Sequence, residues 1–482
     1  MNGPIRRLGI ALFLGLAALL VAVSWFQVVR ADELKNDPRN PRPALADRGK
    51  ERGLILTAEG NVLARSVPDP NDPRNFVREY PEGLAFAHVV GYSSFLVGSS
   101  GLEAAYSPQL RSRRDLTISD LVAVILGQDL RPRTIEATLD AELQHVAFEA
   151  LGDNKGAVIA MDPNTGAILA LVSKPSFDPA MLNALDADEQ WDRLLADPER
   201  PLADRATREI YAPGSTFKTV VTAAGLDTGR VTPASEFADP VEFQLPESTA
   251  TITNFDGGTC GNGETVTLLQ AFVRSCNTIF ADLAIQLGAV DIGITAAALG
   301  FNRDLDFAWE VPNAAWRTDD LAEDPAALGQ SGIGERDVRA SPLHMAMVAA
   351  AVANEGMVPS PYLVQRVVDA NGETLESTEP DLMRAMSEET ATVLSQMMER
   401  VVTEGTGRRA AVPGVRVAGK TGTATGQEGF PNVWFIGFAP VGDPQIAVAV
   451  LVEGSPVSGE DASGGSTAGP IAARVIETWM AG

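Results

Sequence analysis

The sequence predicts an α+β protein. Its main domain should assemble a sheet from its two ends around a helical insert, behind a smaller, mainly β region and an apolar N-terminal segment. Three observations lead there. Leu8 to Val29 is almost unbroken apolar sequence. Between residues 31 and 133, short apolar runs are punctuated by Pro38, Pro41, Pro43, Pro68, Pro70, Pro73 and Pro81. From Thr134 onward, strand-like runs cluster near the start and the end, with mostly helix and loop between Ser176 and Arg409. Strands at both ends of a domain with helices between them describe α+β, not a βαβ repeat. The expected division is 1–30, 31–133 and 134–482.

The bulk properties agree. A chain of 482 residues, 45% hydrophobic, exceeds one ordinary domain and has ample material for a core. A net charge of −25 argues against nucleic acid or an anionic surface as the main partner. Lys35, Lys50, Lys155, Lys174, Lys218 and Lys420 are the only lysines, so a lysine inside a motif is informative. Histidine occurs only at 88, 145 and 344. Cys260 and Cys276 are too far apart for a CxxC metal or redox motif, and no HExxH zinc helix occurs, so no metal is expected.

Taken in order, Leu8–Val29 is long enough to span a hydrocarbon core of about 30 Å. Arg6 and Arg7 precede it and Trp25 lies near its far end, so the N-terminus should stay inside and the remainder be exported. A cleaved signal peptide is the competing reading, since Ala22-Val23-Ser24 resembles a cleavage site; the length of the apolar run favours a retained anchor. Export makes a Cys260–Cys276 disulfide a candidate beside two buried thiols. In 31–133, Glu59-Gly60-Asn61 reads as a turn between two short strands, and the region carries no evident chemistry. Asp140 should cap a helix through Leu151, followed by a hairpin of 156–161 and 167–172 around Asp162-Pro163-Asn164-Thr165-Gly166. Strands are expected at 415–425, 433–439 and 446–452, then a last helix from about Pro470 to Met480.

Three groups could carry chemistry. Ser215 and Lys218, in Pro213-Gly214-Ser215-Thr216-Phe217-Lys218, lie one helical turn apart before an apolar run, a plausible nucleophile with its own base. Ser275-Cys276-Asn277 separates two helices and could point a hydroxyl and an amide into one cleft; helix capping is the simpler explanation for either residue alone. Lys420-Thr421-Gly422-Thr423 sits in a strand, where glycine often marks close approach by a ligand or backbone. Gly414 to Thr421 also fits the phosphate-loop formula, but no helix follows to hold a phosphate at its N-terminus.

Ser-x-x-Lys, Ser-x-Asn and Lys-Thr-Gly in this order resemble the penicillin-binding protein and serine β-lactamase superfamily. Arg205-Ala206, 329–334, Ser341-Pro342-Leu343, 432–440, Gly91 and Gly101-Leu102-Glu103 are similar to class B penicillin-binding proteins of the compact actinobacterial type. Glu335 departs from the pattern, since relatives often carry Gln there. The resemblance implies a five-stranded antiparallel sheet flanked by helices with a helical subdomain, on a non-catalytic, dimerisation-like pedestal. It implies acylation of Ser215 by a peptidoglycan stem ending in D-Ala-D-Ala, transfer to an amine of a neighbouring stem, and trapping by β-lactams. Ser275 would relay a proton and Asn277 hold the substrate's amide. Lys420, Thr421, Gly422 and Thr423 would form the carboxylate-binding strand, and backbone N–H groups of Ser215 and Thr423 the oxyanion hole. No metal or organic cofactor is required.

The absence of histidine near these motifs disfavours a Ser-His-Asp triad and leaves Lys218 as the base, with direct deprotonation of Ser215 an open question at this point. The lysine's ordinary pKa of ~10.4 has to be lowered, by burial and by Lys420 as a second cation. Three functions share this site: a membrane-anchored transpeptidase, a β-lactamase that hydrolyses the acyl-enzyme, and a non-catalytic β-lactam sensor. The anchor, the pedestal and the long insert favour the first. The N-terminal region is too short for a glycosyltransferase domain, so a separate membrane glycosyltransferase is the implied partner.

Overall fold

The computed structural model describes residues 2–30, 49–70, 72–73, 75–111, 130–184, 186–426 and 429–482. Lys35, Pro38, Pro41 and Pro43 lie outside the described residues. The N-terminal segment is one helix, Asn2–Ser24, continued by a wider-wound turn at Trp25–Val29. Its span Gly3–Gln27 is long and apolar enough to cross a membrane and is not buried against the rest of the chain.

The catalytic-size domain is built on five antiparallel strands in the order Ala418–Ala424, Asn432–Ala439, Ile446–Val452, Gly156–Met161, Ile168–Lys174. Strands from the two ends of the domain meet where Ile446–Val452 pairs with Gly156–Met161. Both faces are covered. Val158, Ala160, Val433, Phe435, Val448 and Val450 pack with the helices Ala141–Ala150 and Gly469–Ala481. The alternate residues Ala157, Ile159, Trp434, Ile436, Ala447 and Ala449 pack with Pro342–Ala353. This period-2 division explains why the strands read as continuous apolar runs. Asp140 caps its helix by accepting the Leu143 N–H at 2.7 Å. Ala418–Ala424 is the edge of the sheet, so one side of its backbone has no strand partner.

The pedestal differs from expectation in one respect. The turn at Glu59-Gly60-Asn61 joins Ile55–Leu56 to Val62–Pro68, with Gly60 at φ +91°. These strands belong, however, to a six-stranded sheet in the order Thr374–Ser377, Val364–Val368, Thr134–Ala137, Ile55–Leu56, Val62–Pro68, Phe76–Glu79. The expected 133/134 boundary therefore falls inside a sheet: Thr134–Ala137 lies between a pedestal strand and one supplied by the helical insert. The stretch 176–409 is mostly helix and loop, as expected, but its described residues also hold Val364–Val368, Thr374–Ser377 and six more short strands, from Glu236–Ala238 to Leu382–Arg384. Their length leaves little periodicity to read.

Beneath the pedestal sheet, Glu103 is fully buried between Arg52 Nη2 at 2.8 Å and Arg78 Nε at 2.5 Å. Burial pushes its carboxyl up, but the two guanidiniums outweigh that and hold it below the usual range. This cluster pins residues 52, 78 and 103 together.

Candidate active site

Ser215 lies in a 3-10 turn, Gly214–Phe217, that runs directly into the helix Lys218–Asp227. Gly214 is at φ +53°, and a Cβ there would lie 2.6 Å from the Thr423 carbonyl oxygen. The serine turn thus packs backbone to backbone against the edge strand. Behind it sits Gly334, at φ +89°, accepting the Gly214 N–H at 2.9 Å. Next to it, Glu335 accepts the Thr425 N–H at 2.9 Å, tying this turn to the end of the edge strand. Burial pushes the Glu335 carboxyl up.

Ser275 ends the helix Leu268–Arg274 in the left-handed region, at φ +65°. Asn277 opens the helix Asn277–Leu287 but does not cap it. Asn254 performs that task, its Oδ1 accepting the Asn277 N–H at 2.8 Å and the Thr278 N–H at 3.3 Å. The Asn277 side chain is left to accept from Lys218 Nζ at 2.8 Å and to donate to the Thr253 carbonyl at 3.0 Å. Cys276, between the two motif residues, is joined to Cys260 with Cα atoms 5.9 Å apart.

Lys420 sits in the regular part of the edge strand, opposite Ile436. Its Nζ donates to Ser275 Oγ at 2.8 Å and to the Thr421 carbonyl at 3.1 Å. A Cβ at Gly422 would lie 2.8 Å from the Pro213 carbonyl oxygen, so this glycine permits close approach by another backbone. The stretch matching the phosphate-loop formula enters a strand, as its context implied.

Around these groups lies a cleft of about 390 Å³. Ser215, Ser275, Asn277, Thr421, Gly422 and Thr423 line it together. Sequence reading missed Asn254, Phe255, Thr406 and Gly464, which line it too. Thr406 shares a 2.6 Å hydroxyl–hydroxyl hydrogen bond with Thr421. The only signal for it was the glycine on either side. His344, by contrast, is buried against Ser341 Oγ at 2.7 Å, and burial pulls its pKa down to about 4, leaving it a neutral structural residue.

Lys218 is fully buried, with Nζ 5.4 Å from the Phe280 ring centroid. Burial, with Lys420 second, holds its pKa well below the ordinary lysine value. Burial also pulls Lys420 down to about 7. Lys218 Nζ donates to the Ser275 carbonyl and to Asn277 Oδ1, both at 2.8 Å. Ser275 Oγ is 3.5 Å away. The Ser215 hydroxyl forms no hydrogen bond among the described residues, so its pairing with Lys218 is not preformed. A neutral amine has two N–H groups and one lone pair. The two short bonds use both N–H groups and leave the lone pair to accept a proton.

Two predictions follow from this geometry. An unfolded lysine keeps its proton to about pH 10.5, whereas folded Lys420 sheds its own near pH 7. Between those values the unfolded chain binds more protons, so stability should rise with pH, and Lys218 acts in the same direction. Lys420→Met should flatten that rise in urea unfolding measured from pH 7 to 10; an unaltered slope would show that Lys420 is not desolvated in the fold. Separately, the disulfide closes a sequence separation of 16 residues, worth about 3 kcal/mol in a chain-entropy account. The Cys260→Ala/Cys276→Ala double variant should melt several degrees lower and acylate more slowly. Equal melting temperatures would remove the bridge from any structural role.

Comparison with known proteins bears on the chain as a whole. Residues 156–477 match the penicillin binding protein transpeptidase domain, and residues 52–135 the penicillin binding protein A dimerisation domain. The chain is 38% identical over 495 residues to the peptidoglycan D,D-transpeptidase PbpA of Mycolicibacterium smegmatis, covering 99% of this chain and 98% of that protein. It is also 38% identical over 505 residues to PbpA of Mycobacterium tuberculosis, covering all of both chains. The solved ceftriaxone acyl-enzyme complex of penicillin-binding protein A from M. tuberculosis superposes with a TM-score of 0.82 at 37% identity, covering 90% of this chain and 99% of that one. With a transpeptidase domain over most of its length and relatives matched from end to end, the chain belongs to the penicillin-binding protein family.

Proposed function

We propose that the chain is a membrane-anchored peptidoglycan D,D-transpeptidase that acylates Ser215 with a stem ending in D-Ala-D-Ala and passes the acyl group to an amine of a neighbouring stem. The observation that carries the reading is Lys218: buried, depressed in pKa, and with both N–H groups of its neutral form already engaged.

The steps balance without a cofactor. Ser215 Oγ bonds to the penultimate D-Ala carbonyl carbon while Lys218 takes the hydroxyl proton. The C–N bond breaks and D-Ala leaves as an amine, its proton delivered through Ser275 Oγ, which lies within reach of both lysines. The acceptor amine then attacks the ester, giving its proton back to the same relay and freeing Ser215. Backbone N–H groups of Ser215 and Thr423 would hold the oxyanion; the loss of one such donor typically costs about 3 kcal/mol. Asn277 would hold the donor's amide, and Lys420, Thr421 and Thr423 its terminal carboxylate. The unpaired side of the edge strand suits an extended peptide added alongside it.

The N-terminal helix would place this domain outside the membrane, beside a separate membrane glycosyltransferase that supplies nascent strands. Intact mass after benzylpenicillin tests the reading. A lasting adduct, absent in Ser215→Ala, together with amine-dependent exchange on a D-Ala thioester supports it. Loss of the adduct within seconds with turnover of drug makes the chain a β-lactamase. A stable adduct without exchange makes it a sensor.

A further inference from the structure

Arg274 is the last residue of the helix that ends at Ser275, and its side chain lies exposed along the same cleft. Its Nη1 donates to the Cys260 carbonyl at 2.5 Å, and Cys260 is bonded to Cys276. The guanidinium is therefore tethered to a loop that is covalently joined to the catalytic motif. No carboxylate lies within salt-bridge distance of it among the described residues; Asp239 is near enough for the guanidinium to help hold its carboxyl below the usual range. Asp239 spends its oxygens on the N–H groups of Cys260, Gly261 and Gly263. Asp256, on the same cleft, accepts the Gly258 N–H with Oδ1. Nε and Nη2 of Arg274 have no hydrogen-bond acceptor among the described residues.

The guanidinium is thus held at the cleft by one backbone contact, with its other nitrogens available to a ligand. The two lysines of the cleft do not duplicate it. Both are fully buried, with Lys218 bonded to Ser275 and Asn277 and Lys420 to Ser275 and Thr421, so neither reaches out along the cleft as an exposed guanidinium does. A guanidinium stays charged and offers a planar fork that fits a carboxylate. Phe255 lies on the same cleft with 81% of its surface exposed, an apolar face with no protein neighbour to cover it.

We infer that Arg274 binds a second carboxylate of the donor stem, carried on a side chain upstream of D-Ala-D-Ala whose aliphatic part packs on Phe255. This makes Arg274 a specificity residue, and it rests on the transpeptidase reading above. A stem amidated at that carboxylate keeps its shape but loses the charge, and should be the poorer donor.

The test uses the full chain in detergent and two D-Ala thioester donors, identical except that the upstream side chain ends in a carboxylate or a primary amide. The readout is the ratio of their Ser215 acylation rates by intact mass. The wild-type chain should favour the carboxylate donor by roughly two- to fivefold, the range of an exposed ion pair. Arg274→Gln should bring the ratio to about one, and Arg274→Lys should keep part of it. Salt should erode the wild-type ratio, because the pair is exposed. A wild-type ratio of one at low salt overturns the inference, whether or not the variants fold. So does a ratio that persists in Arg274→Gln, which is also the result if Arg274 reads only the terminal carboxylate common to both donors. A wild-type chain that forms no adduct with either donor or with benzylpenicillin fails the transpeptidase reading and takes this one with it. An adduct without donor preference fails this one alone.

Discussion

Lys218→Met is expected to slow acylation of Ser215 by two to four orders of magnitude, about the range that general-base catalysis contributes. The substitution keeps the volume of a fully buried side chain and removes its nitrogen. Acceptors at Ser275 O and Asn277 Oδ1 lose a donor, while the cost of burying an amine disappears, so stability should shift by less than about 2 kcal/mol. Chemistry and folding are thereby separated in one variant. The second-order rate constant with benzylpenicillin, read beside a urea melt, makes the measurement. Acylation within tenfold of wild type would mean that another group takes the Ser215 proton. Lys420→Ala should slow acylation less, because burial outranks Lys420 among the causes that depress Lys218.

The second large effect should come from a residue that touches no substrate. A Cβ at Gly334 would lie 1.8 Å from the Gly214 oxygen and 2.4 Å from its carbonyl carbon, both backbone atoms, at φ +89°. Strain at such a φ costs about 1–3 kcal/mol and an unrelieved clash a similar amount. Gly334→Ala should therefore lose roughly 3–5 kcal/mol and most of its acylation, because relief requires moving the turn that carries Ser215. Gly414→Ala is the control: φ +79°, with nothing within 4 Å of the added carbon. It should lose only the backbone term. Equal losses in the two variants would mean that the packing of Gly334 on Gly214 contributes nothing.

What was legible in the sequence follows from range. Ser215 and Lys218 are separated by one helical turn, Ser275 and Asn277 by one residue, and Lys420 to Thr423 are consecutive, so each group declares its chemistry locally. The central sheet was legible because both its faces are buried and its strands are unbroken apolar runs. Contacts between groups were not. Lys218 bonds to the Ser275 carbonyl, a partner no side-chain motif encodes, and the Ser215 hydroxyl stands apart from it. Asn254 caps a helix that starts 23 residues later, and nothing near it in sequence marks that role. The sheet that the pedestal shares with the insert was hidden for the same reason, since Thr134–Ala137 pairs with a strand more than two hundred residues downstream.

That shared pedestal sheet bears on how the chain can be made. Arg366 and Glu136, which pair across it, are 230 residues apart. The central sheet likewise waits for Ile446–Val452 to seat against Gly156–Met161. Many multidomain chains finish an N-terminal unit while the remainder is still being synthesised. Here the N-terminal unit lacks two strands until the insert has been delivered, and the larger one is open until almost the last helix. A product truncated between Lys174 and Val364 is therefore not one finished domain and one missing one. It is two sheets with open edges, the form on which aggregation and proteolysis act first.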